Sequence, residues 1–252
     1  SLQGPVLAFD DTGALTALHA DLIVNPAPDA DKLNYPATAP GAVLLLGPAY
    51  VPIRRDIRRA AALAPLDWTA RDRILVTFGG SDPLGLTGPV MARLSDLLPG
   101  VGIDVAVGGG NPRAEALKAL AALLGPQIAL HIDARHMGEL MRRAGLAVAA
   151  AGGTVGELAA LRTPALLVVI ADNQAGAAAS LAAAGWPVGE ARGAAARGTD
   201  VARNADTIAR TAADLWLDAP RRQALAAAMA DNVDGQGAAR TANILTRRVA
   251  IS

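Results

Sequence analysis

The residues best suited to chemistry lie in one stretch, Ala149-Ala150-Ala151-Gly152-Gly153-Thr154-Val155-Gly156-Glu157-Leu158, set between two apolar runs. It reads as a buried strand, a glycine turn opening a helix, and a lone carboxylate. Glycine removes the side chain where a phosphate must approach, and backbone N–H groups at a helix start favour an anion. Thr154 either caps that helix or offers its hydroxyl to a ligand. Glu157 stands three residues after Thr154. It therefore either closes a capping box or accepts from the hydroxyls of a ribose. Together these residues point to a nucleotide or nucleotide-sugar site.

Three more segments have polar or glycine-rich strand exits. Gly79-Gly80-Ser81-Asp82 follows the apolar run Ile74-Phe78 and offers N–H groups, a hydroxyl and a carboxylate. The loop faces a ligand, or Ser81 and Asp82 simply cap the next turn. Asp82 is a weak candidate base, because no companion acid or histidine stands near it in sequence. Gly108-Gly109-Gly110-Asn111 matches neither the dinucleotide fingerprint nor the Gly-x-x-x-x-Gly-Lys phosphate loop, and reads most simply as chain reversal. Asp172-Asn173-Gln174 opens a helix, where its amides can hold sugar hydroxyls or phosphate oxygens, or its first residues can cap. His131 and His136 either border a base pocket or are structural. The three tryptophans read as core or interdomain anchors.

Composition narrows the classes. Equal numbers of basic and acidic residues, 23 of each, leave no basic stripe for a nucleic-acid backbone. The absence of cysteine removes disulfides and thiolate metal sites, and three scattered histidines suggest no zinc centre. No cofactor is expected. Apolar runs such as Val43-Leu46 and Leu166-Ile170 are far shorter than the roughly 20 residues a membrane helix needs. A cytoplasmic setting is expected.

The elements that would position these residues alternate strand and helix. Strands are expected at 6–11, 21–25, 43–46, 74–78, 103–107, 128–132, 146–151, 165–170 and near 186–188, with 26–42 irregular. Helices are expected after residue 11 and at 54–63, 86–97, 113–124, 136–143, 154–161, 174–184, 205–216, 220–230 and 237–247. Continuously apolar strands with short connections mark a parallel α/β sheet covered on both faces. Ligands then gather at the strands' carboxyl ends, where the glycine-rich exits fall.

Several motifs in order resemble the UDP-sugar hydrolases of pseudaminic-acid synthesis and the related spore-coat polysaccharide biosynthesis proteins. They are Ala20-Asp21-Leu22-Ile23-Val24-Asn25, Leu46-Gly47-Pro48-Ala49-Tyr50-Val51-Pro52-Ile53-Arg54 and Val76-Thr77-Phe78-Gly79-Gly80-Ser81-Asp82. The match continues through Gly108-Gly109-Gly110-Asn111-Pro112, the Gly152 to Leu158 stretch, Ala171-Asp172-Asn173-Gln174 and Val233-Asp234-Gly235-Gln236-Gly237-Ala238. The resemblance implies a GT-B-like α/β fold. A partial N-terminal Rossmann-like domain (1–55) would be followed by a linker and helix (56–72) and a C-terminal UDP-binding Rossmann-like domain (73–252).

It also implies release of UDP from UDP-2,4-diacetamido-2,4,6-trideoxy-beta-L-altropyranose by water attack at the anomeric carbon. By motif, Glu157 takes the ribose and Gly152, Gly153 and Thr154 the diphosphate. Ile132 and Met137 border uracil, Gly79, Gly80 and Ser81 line the cleft, and Asn173 and Gln174 face diphosphate and sugar. Such proteins carry their catalytic histidine in an N-terminal glycine-rich loop with a Gly-His pair and an arginine, and no such loop stands here; His19 does not fill that role. The chain is therefore expected to lack the front of the enzyme and to be inactive alone. Its first strands are expected to lie open on one face and at the edge, inviting self-association. A transferase using the same nucleotide half, or a non-catalytic nucleotide-binding domain, is the alternative.

Overall fold

The computed structural model describes residues 4–10, 17–191, 198–230 and 233–249. The chain forms two parallel sheets. The first is small, with β1 (Leu7–Phe9), β2 (Leu22–Asn25) and β3 (Val43–Leu46) in the order β1-β2-β3. Side chains alternate across β2. Leu22 and Val24 face one side with Leu45, and Ile23 faces the other with Tyr35 and Ala39.

Both faces of this sheet are covered, which corrects the expectation of an open one. The stretch 26–42 is not wholly irregular: it holds a single turn at Ala30–Lys32 and α1 (Tyr35–Thr38), which start a lid over Ile23. The opposite face receives Ile244 and Leu245 from the far end of the chain, on α10 (Gly237–Val249). The edge strand β1 has a partner only on the β2 side among the described residues, and Phe9 on it is 58% exposed. The helical stretch expected after residue 11 falls largely on 11–16, outside the described residues.

A connecting segment then runs through α2 (Arg55–Ala61) into the second sheet. There β4 (Arg73–Thr77), β5 (Gly102–Val107), β6 (Ile128–Ile132), β7 (Ala144–Ala150), β8 (Ala165–Val169) and β9 (Val188–Glu190) lie parallel in the order β6-β5-β4-β7-β8-β9. Alternation along β4 shows why the strands read as apolar throughout. Ile74 and Val76 enter one core with α3 (Thr87–Leu97), α4 (Ala114–Leu124) and α8 (Gly198–Leu217). Leu75 enters the other, with α2, α5 (Met137–Arg143), α6 (Thr154–Ala160) and α7 (Ala175–Ala183). Each fully buried Leu, Ile or Val contributes about 1.5–3 kcal/mol. The remaining helix, α9 (Ala219–Ala230), supplies Met229 to that second core.

Helix α8 begins seven residues earlier than its apolar stripe suggests, since its first turns are polar. Ala205, Ile208, Ala209 and Ala212 carry its buried face. The strand order reverses at β4, which has β5 on one side and β7 on the other. Ligands in open parallel sheets bind at that switch point, outside the carboxyl ends of the strands.

Candidate functional site

The exits of β4 and β5 meet backbone to backbone. The Gly108 N–H donates to the Gly80 carbonyl at 2.9 Å, and a Cβ on Gly108 would lie 2.9 Å from the Gly80 Cα. Any side chain at Gly108 would push the two loops apart. What reads in sequence as chain reversal is thus a close approach that fixes one wall of a cleft. The cleft has a volume of about 490 Å³. Thr77, Gly79 and Gly80 form one wall, Gly153, Thr154 and Glu157 the other, and Ala134 and Met137 close one end.

At the β7 exit, the turn into α6 has Gly153 in the cap position without a side-chain cap bond. The N–H groups of Gly153 and Thr154 have no acceptor among the described residues. Glu157 does not close a capping box. Its carboxylate receives two bonds from Arg54, Nε to Oε1 at 2.6 Å and Nη2 to Oε2 at 3.1 Å. That bond raises the Arg54 pKa beyond its already high value, against the opposing effect of burial. Arg54 remains half exposed while Glu157 is largely covered, so solvent screens the pair and its net worth is at most about 1 kcal/mol. The pair can open at small cost.

Arg54 also lines the cleft, and the sequence reading assigned it no role. The signal was present in Pro52-Ile53-Arg54, a basic residue directly before a helix on the linker. What brings it to Glu157 is a second close approach. A Cβ on Gly156 would lie 2.5 Å from Val51 Cγ1, so only glycine lets the linker rest on α6.

The expected site residues divide between two cavities. Gly79, Gly80, Met137, Gly153, Thr154 and Glu157 line the first. Gly152, Gly153, Asn173 and Gln174 line a second, of about 640 Å³, between the small sheet and α6–α7. Pro52 and Gly153 belong to both walls, so the cavities are neighbours. Gln174 is pinned by the Ile170 N–H, which donates to its Oε1 at 2.9 Å. Its Nε2 then faces the turn, 3.3 Å from where a Cβ on Gly152 would stand.

Three residues fall elsewhere. Ser81 is exposed and outside both walls. The Ile132 side chain packs with the α3–α4 core, whereas Met137 belongs to the core on the other face of the sheet. Asp82 is 1% exposed, with φ +44°, and its two oxygens accept from Leu86 N–H at 3.0 Å and Thr87 N–H at 2.9 Å. It caps α3 and faces neither cavity.

His131 lies outside both walls as well. Its Nε2 is 2.9 Å from Asp104 Oδ1, and Asp104 Oδ2 accepts from Arg73 Nε at 2.7 Å. Burial pushes the Asp104 carboxyl up, but the bonds from His131 and Arg73 outweigh it and hold the group below the usual range. The His136 ring meets His131 edge-on at 5.4 Å. Among the described residues no three His, Cys, Asp or Glu side chains gather as a metal site, and no helix is long and apolar enough to cross a membrane.

The fold is shared with solved structures. MurG from Acinetobacter baumannii superposes with a TM-score of 0.58 at 16% identity, over 96% of this chain and 67% of that one. A putative UDP-N-acetylglucosamine 2-epimerase from Listeria monocytogenes gives 0.61 at 13%, over 92% and 61%. The pneumococcal O-GlcNAc transferase GtfA, solved with UDP and GlcNAc, gives 0.56 at 11%, over 90% and 45%.

The fold is that of the GT-B glycosyltransferases. The chain spans about half to two thirds of the length of these proteins. No family profile and no curated protein matches its sequence.

Proposed function

We propose that this chain holds a UDP-sugar for an enzyme that breaks the bond between the anomeric carbon and the diphosphate. The observation that carries this reading is the placement of Glu157 and the Gly153-Thr154 turn on one wall of the switch-point cleft. The ribose hydroxyls donate to Glu157, and the N–H groups of Gly153 and Thr154 meet the diphosphate, joined by Gln174 Nε2. Uracil lies toward Met137, with Ile132 contributing only its main chain at the end of β6. Gly79 and Gly80 leave room for the ligand beside them.

Arg54 has a second task in this reading. The ribose replaces it on Glu157, and the freed guanidinium turns to the diphosphate in the same cleft. Its planar fork suits phosphate oxygens. The complete reaction is hydrolysis, by the resemblance to the UDP-sugar hydrolases. The size of the second cavity favours transfer to an acceptor as the alternative.

Calorimetric titration tests the donor site. UDP is expected to bind more tightly than ADP or AMP, and equal heats, or none, would remove the reading. Turnover is a separate matter. Positioning the leaving group does not supply a base for the attacking water, and Asp82 is committed to its helix. Incubation with UDP-sugars is expected to release no UDP above background. Release abolished by Asp82→Asn would show the chemistry to be misplaced. Self-association through β1 is proposed on the same footing, and sedimentation at two concentrations checks it.

A further inference from the structure

At the end of the second sheet opposite the nucleotide cleft, a buried guanidinium has no acidic partner among the described residues. Arg71 stands two residues before β4 and is 7% exposed. Its Nη1 donates at 2.9 Å to the carbonyl of Arg162, just past α6. That is its side chain's one hydrogen bond among the described residues. Nε is buried without a partner, and Nη2 makes no bond. Arg71 Cζ also lies 5.0 Å from the centre of the Trp68 ring, whose face attracts a cation without neutralising it.

The one charged neighbour that perturbs Arg71 is another cation. Burial first, and then Arg142 near the end of α5, push the Arg71 pKa down. Arg142 is half-buried, and its Nη2 donates to the Ala64 carbonyl. Neither arginine forms an ion pair with a carboxylate among the described residues, and Asp72, next in sequence, is exposed. Taking an ion out of water is costly until an opposite charge and a full set of hydrogen bonds meet it. The Arg162 carbonyl accounts for Nη1, as carbonyls past a helix do for basic side chains. It leaves Nε and Nη2, the planar fork that takes two oxygens of a carboxylate or phosphate. Arg54 shows that use within this chain, with the same two nitrogens on the two oxygens of Glu157.

We infer that Arg71, backed by Arg142, is a binding site for a compact oxyanion, a carboxylate or phosphate group seated on the Nε–Nη2 fork at the amino ends of β4 and β7. The connector 61–70 lies over the pair, through Trp68 on Arg71 and the Ala64 carbonyl on Arg142. Its residues are exposed except for half-buried Leu66 and Trp68, so an entering anion displaces connector rather than core. The site is independent of what the cleft at the carboxyl ends binds.

Inorganic phosphate is the probe, with acetate as a second arm and chloride at matched ionic strength as the blank. Tryptophan emission and the melting temperature are followed during titration, and Trp68→Phe identifies the optical signal. Phosphate or acetate is expected to give a saturable change and a higher melting temperature, as ligands of the folded state do. Chloride is expected to give neither, since a single atom cannot span the fork. Arg71→Lys keeps the charge but loses the fork, and should weaken binding at least about tenfold. Arg142→Gln removes the second charge at a half-buried position and should weaken it about threefold or more. It decides the matter if Arg71→Lys does not fold. Arg54→Ala should leave the response intact, because Arg54 lines the other site.

A larger response to phosphate than to acetate names a phosphate group as the ligand, and the reverse or equality names a carboxylate. A response no greater than that to chloride, one that survives either change at Arg71 or Arg142 in a folded protein, or one lost in Arg54→Ala would overturn the inference. A cleft that takes no UDP would remove the donor-site reading while leaving the phosphate result standing.

Discussion

Replacing Glu157 by glutamine separates the ribose role from the contact with Arg54. The Glu157 carboxylate is satisfied by Arg54 through two bonds. Glutamine keeps the shape and one acceptor but loses the charge. If the ribose hydroxyls donate to Glu157, the substitution forfeits a charge-assisted bond of about 1.5–3 kcal/mol. Against this, Arg54 is released from a pair worth at most about 1 kcal/mol, which lowers the cost of opening. The net loss is then about 0.5–2 kcal/mol, a two- to thirtyfold weaker UDP complex at 1.4 kcal/mol per tenfold.

The assay is titration of the two proteins with UDP and with 2′,3′-dideoxy-UDP. The dideoxy nucleotide has nothing to donate to Glu157, so the substitution should cost it almost nothing. Arg54→Ala completes a double-mutant cycle. Combined with Glu157→Gln it should show non-additivity, because each residue's partner is lost in the other variant. An equal loss for both nucleotides would place Glu157 in shaping the cleft rather than holding ribose. No loss for UDP in a well-folded variant would refute the contact outright.

Asp82→Ala should destabilise the fold. It strips two buried N–H groups at the start of α3 of their acceptor, at a cost of about 2 kcal/mol or more and hence a melting temperature about 4–8 °C lower. An unchanged melting temperature would contradict the capping role. For Asp104 the folded-state pKa lies below the unfolded value of about 3.9, so its contribution to stability is present above that pH and is lost as pH falls through the folded value. Denaturant titrations should find Asp104→Asn less stable than the parent at neutral pH, with the gap shrinking below about pH 4. A gap that persists or widens in acid would refute the linkage.

The second sheet was legible because its signals are local. Each strand from β4 to β8 is a mainly apolar run, broken only by Asp104 in β5 and His131 in β6 among its inner positions, and each helix between them repeats its stripe within a few turns. The glycine exits fall at strand ends by the same logic. What sequence left open was decided by contacts between distant residues. Glu157 has the spacing of a capping box, yet it bonds Arg54, 103 residues earlier in the chain. Asp82 and Asp10 are both acidic residues following apolar strands. The first turns inward to cap a helix, whereas the second is pinned by Tyr35, 25 residues on, beside a cavity. The lid over the small sheet was missed for a related reason. Prolines in 26–42 argue against regular structure, but Pro36 sits in the first turn of α1, where its missing N–H costs nothing.

The site's geometry therefore depends on how the linker is held. Gly156 admits Val51 onto α6, and Arg240 on α10 donates to the Ala49 carbonyl at 2.9 Å while pairing with Asp234. That pairing carries the Asp234 carboxyl down to about 2, so the clamp keeps its charge through the ordinary pH range. Residues 49–54 are thus gripped from both sides, which puts Arg54 in one cavity and Val51 in the wall of the other. In the proposed reading, a nucleotide-sugar laid across Gly152 and Gly153 would place its diphosphate beside the Arg54 guanidinium and its sugar beside the mostly apolar wall of the second cavity.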